Sequence, residues 1–412
     1  MVRLQRALLI VTFVLVTIML GVLLYAVFFG GGFSDLGGNE QVGGSGSAIY
    51  GNQEVPIGGG GQLPAGRPSP SPSASPVRQP SPAASVASGG TTVTQRVVDV
   101  DAQQLTLDRD GVSVLYYNPT DGRFYRLTSR GTVETLDDRV FHNVERITWS
   151  DDRQRAVLEY PDGANIVYDF STDRQTTLPK HWEAFDFAPD GEQLIAKSIG
   201  LDTENRWLVV TDASGSRTRP IVALGENADT VIPSWSPNGQ MVAMQVETSG
   251  EQRQEVFFIG QNDERFPSAQ VPGWGFEAEW TPSGNQLLYS VYSSRSGNRP
   301  ELWLSDATPS SVGTNRLSVG LQTWAHKCTF SSPSVAYCAV PSELPSGAGL
   351  FPNEMDAGVD SVYRVDLASG ATSLVGTPDQ PHTMGNLLVS SDGRSLYYTA
   401  KQDGSVYRLQ LK

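Results

Sequence analysis

The stretch Trp280-Thr-Pro-Ser-Gly284, followed by Gln286-Leu-Leu-Tyr-Ser290 and then by Glu301-Leu-Trp-Leu-Ser-Asp306, decides the fold. An aromatic residue leads into a turn, and two apolar runs of strand length follow. Pro presets φ at the second turn position, a small polar residue suits the third, and Gly takes the left-handed conformation that closes the hairpin. The pattern returns as Trp149-Ser-Asp-Asp152, Phe187-Ala-Pro-Asp-Gly191 and Trp235-Ser-Pro-Asn-Gly239. Weaker copies are Leu107-Asp-Arg-Asp-Gly111, Phe330-Ser-Ser-Pro333 and Val389-Ser-Ser-Asp-Gly393. From 107 to 389 the copies are spaced by 42, 38, 48, 45, 50 and 59 residues, close to one four-stranded unit each.

One such sheet cannot cover both of its faces, so each unit must stack on its neighbours. The spacing therefore predicts an all-β fold, a β-propeller of seven blades, with six as the alternative because the end copies are degenerate. Trp149, Phe187, Trp235, Trp280 and Phe330 are expected in the core between blades. The last unit holds only three strands, ending in Val406-Tyr-Arg-Leu-Gln-Leu411. The strand-like segment Val93 to Val100 is left over at the other end. Supplying it as the missing fourth strand would close the ring and remove two open sheet edges.

Trp235-Ser-Pro-Asn-Gly239 and the run from Tyr289 to Asp306 resemble the repeats of TolB-type propellers, and more broadly are WD-repeat-like. The resemblance covers residues ~105–411. It implies an envelope protein that binds other macromolecules, although this chain lacks the small α/β domain that precedes the TolB propeller.

Ahead of the repeats, Ala7 to Phe29 is a run of 23 residues with no charge. As a helix it would measure about 34 Å, enough for a bilayer core. Arg3 and Arg6 precede it, and no Lys or Arg follows until Arg67. That asymmetry places residues 1–6 in the cytoplasm and exports the rest. The run is longer than a signal-peptide core and ends in Phe28-Phe29, which favours an uncleaved single-pass signal-anchor at 7–29 over a cleaved leader. Residues 30–90 are rich in Gly, Ser and Pro, with seven prolines between 64 and 86. Such a segment cannot bury enough apolar surface to fold and reads as a disordered linker and spacer. The propeller is then residues 91–412, displayed periplasmically or at the cell surface.

Residues 1–90 hold four Arg and three acids, which leaves 26 basic and 41 acidic groups, a net −15, for the remainder. That balance excludes nucleic acid as the main partner, since phosphate binding needs clustered cations. Cys328 and Cys338 flank a hairpin centred on Pro333, where a cross-strand disulfide fits. Two buried thiols are the alternative.

The chain carries no Walker loop, Rossmann fingerprint or paired-Cys zinc spacing, and no Gly-x-Ser-x-Gly elbow. The expectation is a non-enzyme without cofactor or bound metal: a membrane-tethered scaffold in the cell envelope that binds another protein or peptide. The alternative is a small-ligand, glycan or hydrolytic site at the channel mouth. The four histidines support a mouth site of some kind. His142, His181, His326 and His382 each fall four to seven residues before a repeat motif, in the connection that enters the innermost strand. Glu145, Glu183, Asp229, Trp274 and Glu277 occupy matching stretches. A second candidate is the insertion Pro341 to Asp360, whose Leu350, Phe351 and Met355 would form a partner-contact loop.

Overall fold

The computed structural model describes residues 83–262 and 264–411, together with Met19. These form seven antiparallel four-stranded blades, six of them with their strands in chain order. Blades 1 to 6 occupy residues 103–135, 146–178, 182–223, 231–271, 274–318 and 328–378. Blade 7 takes its first three strands from 384–410. Its fourth is β2 (Thr94–Val98), paired antiparallel with Val406–Gln410. The leftover strand therefore closes the ring as its sequence position requires, and the count is seven.

Seven buried apolar clusters, one at each interface, run round the ring. Val157 and Val167 of blade 2 meet Trp182, Phe185 and Phe187 of blade 3. Ile195 and Leu208 of blade 3 meet Trp235 and Val242 of blade 4. The circuit ends where Val98 and Val406 of blade 7 pack on Leu105 and Val114 of blade 1. Phe187 and Trp235 are buried as expected. Trp149, Trp280 and Phe330 are half-buried. The two indoles reach back one blade, Trp149 Nε1 donating to the Gln104 carbonyl and Trp280 Nε1 to Ser234 Oγ.

The motif also works through a group that turn rules overlook. Ser236 Oγ donates to Asn238 Oδ1 at 2.8 Å and to the Met241 carbonyl, while accepting from Met241 N. Ser150 and Ser390 repeat the arrangement. These hydroxyls are buried, so each satisfies backbone groups that water cannot reach. Where the motif lacks glycine, Arg153 takes the left-handed conformation at φ 56°. Its guanidinium donates to the carbonyls of Leu107 and Ser150, which holds it there.

Two features depart from the sequence reading. Residues 83–90 have linker composition, yet Ala87 N donates to the Gln410 carbonyl and Gly89 N to that of Val375. Strand β1 (Gly90–Thr92) then runs parallel to the outer strand of blade 6 as a fifth strand. The segment is ordered by pairing rather than by apolar content. The apolar run 7–29 and the linker residues 30–82 lie outside the described residues, Met19 excepted. Among the described residues no helix is long and apolar enough to cross a membrane.

Candidate binding face at the channel mouth

The connections entering each first strand share one face with the loops joining second to third strands. Between blades 2 and 3 this face holds a cleft of about 430 Å³, which adjoins a shallower one of about 810 Å³. Glu145, Tyr160 and Pro161 line both. His142 lines the shallower cleft, His181 and Glu183 the other. Local bonds fix these positions. Tyr117 Oη donates to the Phe141 carbonyl beside His142. The buried Asn165 amide donates to the carbonyls of Pro179 and Trp182, on either side of His181. Glu183 pairs with Lys197 at 3.1 Å, and Lys197 Nζ also donates to the Ala228 carbonyl next to the exposed Asp229.

Across the mouth, Glu277 Oε1 accepts from the backbone N of His326 at 2.6 Å and lies 2.7 Å from its Nδ1. The imidazole stacks near Trp324 and remains about half exposed. Trp274 is half-buried at the start of the same strand, opposite Tyr292. The structure thus gathers His142, Glu145, His181 and Glu183 in one groove and joins Glu277 to His326 in a pair.

His382 is a correction. It is 6 % exposed, with Nδ1 2.8 Å from Tyr398 Oη and its ring 4.1 Å from that of Tyr407. Its carbonyl accepts from Asp360 N, which draws this connection down between blades 6 and 7. Burial pushes its pKa down, so it is a neutral packing residue rather than a mouth ligand.

Two acids that sequence reasoning missed line the ring's interior. Asp186 and Glu279 sit on first strands, each directly before the motif aromatic, where other blades carry Thr148, Ser234 or Thr329. That substitution within the repeat was the available signal. Glu279 reaches water, yet loss of hydration is the largest influence on its carboxyl, as expected inside a narrow channel. Its pKa is pushed up to about 7, with the Glu277 charge adding to the effect. Desolvation likewise brings Asp186 to about 7, against hydrogen bonds from Trp235 N and Phe187 N.

Acids whose folded pKa is raised stabilise the fold fully below their unfolded values, and lose that contribution as pH rises toward 7. An Asp186→Asn/Glu279→Gln variant should therefore melt above the parent at pH 8. The gap should narrow steadily to a small remainder at pH 4, where the folded acids are protonated and the unfolded ones about half so. Thermal melts of the two proteins across pH 4–8 check this, and a gap independent of pH would contradict it.

The insertion in blade 6 is stitched down rather than loose. Arg299 Nε donates to the Leu344 carbonyl at 2.6 Å, and Gly347 N and Gly349 N donate to Gly297 and Asn298 of blade 5. Asp356, inside the loop, bonds Lys327 Nζ and Lys401 Nζ, and Asp360 bonds Lys327 as well. The loop ends up with Leu350 and Phe351 projecting, 48 % and 55 % exposed, and Met355 half-buried. Beneath it Cys328 and Cys338 face each other in register and form a disulfide, Cα to Cα 4.0 Å. Among the described residues, no group of three or more His, Cys, Asp or Glu side chains is arranged to hold a metal ion.

No family model and no curated protein matches the chain. Solved structures do. The β-propeller domain of Cps50 (Swd1) from Myceliophteria thermophila is 11 % identical, with a TM-score of 0.51 over 78 % of this chain and 100 % of that one. An oligogalacturonate lyase from Vibrio parahaemolyticus is 13 % identical, with a TM-score of 0.50 over 79 % and 96 %. Hydrazine synthase from Kuenenia stuttgartiensis gives 13 % and 0.50 over 76 % and 96 %. At such identities the likeness speaks for architecture, and with the seven sheets above it makes this chain a seven-bladed all-β propeller.

Proposed function

We propose that this protein is a membrane-tethered, extracytoplasmic scaffold that binds another envelope protein through the mouth face of its propeller. The observation that carries the reading is the blade 6 loop. A protein with no partner gains nothing by anchoring an exposed Leu350–Phe351 pair over a buried ion cluster, whereas a docking surface needs rigid apolar anchors. The disulfide fits an oxidising compartment. The apolar run at 7–29 and the Pro-rich spacer fit a tether, and the likeness of the repeats to TolB-type propellers points the same way.

The test places a photo-cross-linking amino acid at Phe351 in the full chain, in its native membrane. A discrete adduct is expected there, and Leu350→Asp should remove it while the fold melts unchanged. The same probe at Asn238, on the opposite face, should give none. Equal labelling from both sites, or no adduct at 351, would overturn the reading. Protease added to intact cells should release the propeller, and a protected propeller would overturn the extracytoplasmic placement.

A further inference from the structure

We propose that His382 is an acid-sensitive latch: on taking up a proton its imidazole leaves the seam between blades 6 and 7 and frees the root of the blade 6 loop that carries Leu350 and Phe351. The latch is a property of the fold alone. Its use, the release of a docked protein on acidification, rests on the scaffold reading above.

Three consecutive residues tie the end of the loop to this seam. The His382 carbonyl accepts from Asp360 N at 2.9 Å. Thr383 Oγ1 donates to the Gly358 carbonyl at 2.7 Å. Met384 N donates to Asp360 Oδ2 at 2.6 Å. On the other side the Thr383 carbonyl accepts from Lys401 N, and Thr383 N donates to Gln402 Oε1. A displacement of His382 that carries its backbone along therefore breaks bonds to Gly358 and Asp360 together.

His142, His181 and His326 are exposed at the mouth, so a charge on any of them stays in water. His382 is buried, with Nδ1 at 2.8 Å from Tyr398 Oη and its ring against that of Tyr407. The charged groups around it are engaged elsewhere. Asp379 accepts from Thr94 N and Thr94 Oγ1. Arg96, on β2, donates to Tyr407 Oη and pairs with Asp403 at 2.8 Å. Asp360 is bonded by Lys327. An imidazolium donates from both ring nitrogens, and one that has lost its hydration is costly to hold unpaired. Loss of hydration accordingly has the largest influence in lowering the His382 pKa. Arg96 acts the same way, and Asp403 and Asp379 oppose it without prevailing.

The sign follows from this difference. A base that holds its proton less well inside than outside favours the inside only while neutral. The closed seam keeps its full advantage above the ordinary imidazole pKa of about 6.5 and loses it as pH falls below that value. Between pH 7.5 and pH 5 the opening equilibrium can rise by at most ~30-fold, the gain in protonation of a freely solvated imidazole over that interval. Asp186 and Glu279 act in the opposite sense, because acid favours the folded state through them.

The test is hydrogen exchange of the full chain at pH 7.5 and pH 5, each corrected for the intrinsic dependence of exchange on pH. Protection across residues 358–362, which include the Asp360 N–H, should fall at least ~5-fold at pH 5, within the ~30-fold ceiling. Strand Gln193–Ile199 in blade 3 should keep its protection. His382→Phe, which retains a ring against Tyr407, should abolish the pH dependence whatever its basal protection. His382→Gln should do the same and serves if the first variant folds poorly. Equal protection of 358–362 at both pH values overturns the proposal. So does a fall that persists in both variants, or one matched in blade 3, which would be acid unfolding of the whole ring. For the regulatory role, the adduct at Phe351 should weaken at pH 5 in the parent and not in His382→Phe, and an adduct unchanged in the parent overturns that role. Absence of any adduct at pH 7.5 would instead sink the scaffold reading, while the exchange result decides the latch by itself.

Discussion

Deleting residues 83–98 is expected to abolish cooperative folding of the propeller. Strand β2 supplies the outer strand of blade 7, with Thr94, Gln95 and Arg96 opposite Leu409, Arg408 and Tyr407. Its Val98 is 5 % exposed and belongs to the cluster that joins blade 7 to blade 1. Thr94 adds two bonds to Asp379, from its backbone N and its hydroxyl. Burial of one valine contributes about 1.5–3 kcal/mol and each ladder bond about 0.5–1.5. Together these approach the ~5–15 kcal/mol that holds an ordinary domain together. The loss also reopens two sheet edges, so the product should aggregate. A milder variant isolates the interface. Val98→Asp puts a carboxylate into that cluster and should cost ~3 kcal/mol or more. Val133→Asp, on the outer strand of blade 1 and 45 % exposed, should change stability by ~0.5 kcal/mol at most. Denaturant unfolding compares them. A truncated protein that melts with the parent would mean the ring is not held at this seam.

The fold was legible because each blade is a local unit whose turn chemistry repeats. Trp235-Ser-Pro-Asn-Gly239 specifies a hairpin wherever it stands, and ring closure followed from one leftover strand and one short blade. Strand β1 was not legible. Gly90-Thr-Thr92 has no apolar alternation, and parallel pairing with Gly376, Thr377 and Pro378 depends on residues about 285 positions away, as the register shows. The groove was half legible. His142, Glu145, His181 and Glu183 hold equivalent places before successive motifs, and the repeat itself brings them to one face. Glu159 belongs to a second strand and meets the groove only because it pairs with Arg146 across the hairpin. His382 shows the limit of positional equivalence. It stands as far from its motif as His142 does, but its connection is bonded into the ring, and nothing in the local sequence marks that.

Replacing Lys327 with methionine should lower stability by ~3–5 kcal/mol, because it leaves buried carboxylates without their cation. The Lys327 and Asp360 side chains have no exposed surface, and that of Asp356 is 2 % exposed. Lys327 bonds both Asp360 oxygens, at 3.0 and 2.8 Å. Burial raises the pKa of Asp360 even with Lys327 present, whereas Asp356, which is also bonded to Lys401, is held below its ordinary value. Asp360 therefore suffers most when Lys327 is lost. Its remaining bond from Met384 N cannot replace a charge. Lys401, 42 % exposed, should cost ~1 kcal/mol or less as Lys401→Met. If the deficit is an unpaired charge, Lys327→Met/Asp360→Asn should recover part of it, and a deficit unchanged in the double variant would point to packing instead. The cluster also ties the loop to function. Asp356 is the loop's charged anchor to blades 6 and 7, so Lys327→Met should expose 342–359 to protease and weaken the adduct at Phe351. Lys401→Met should spare both. A Lys327→Met protein that keeps parental stability and a protease-resistant loop would remove the case that Leu350 and Phe351 are held out for a partner.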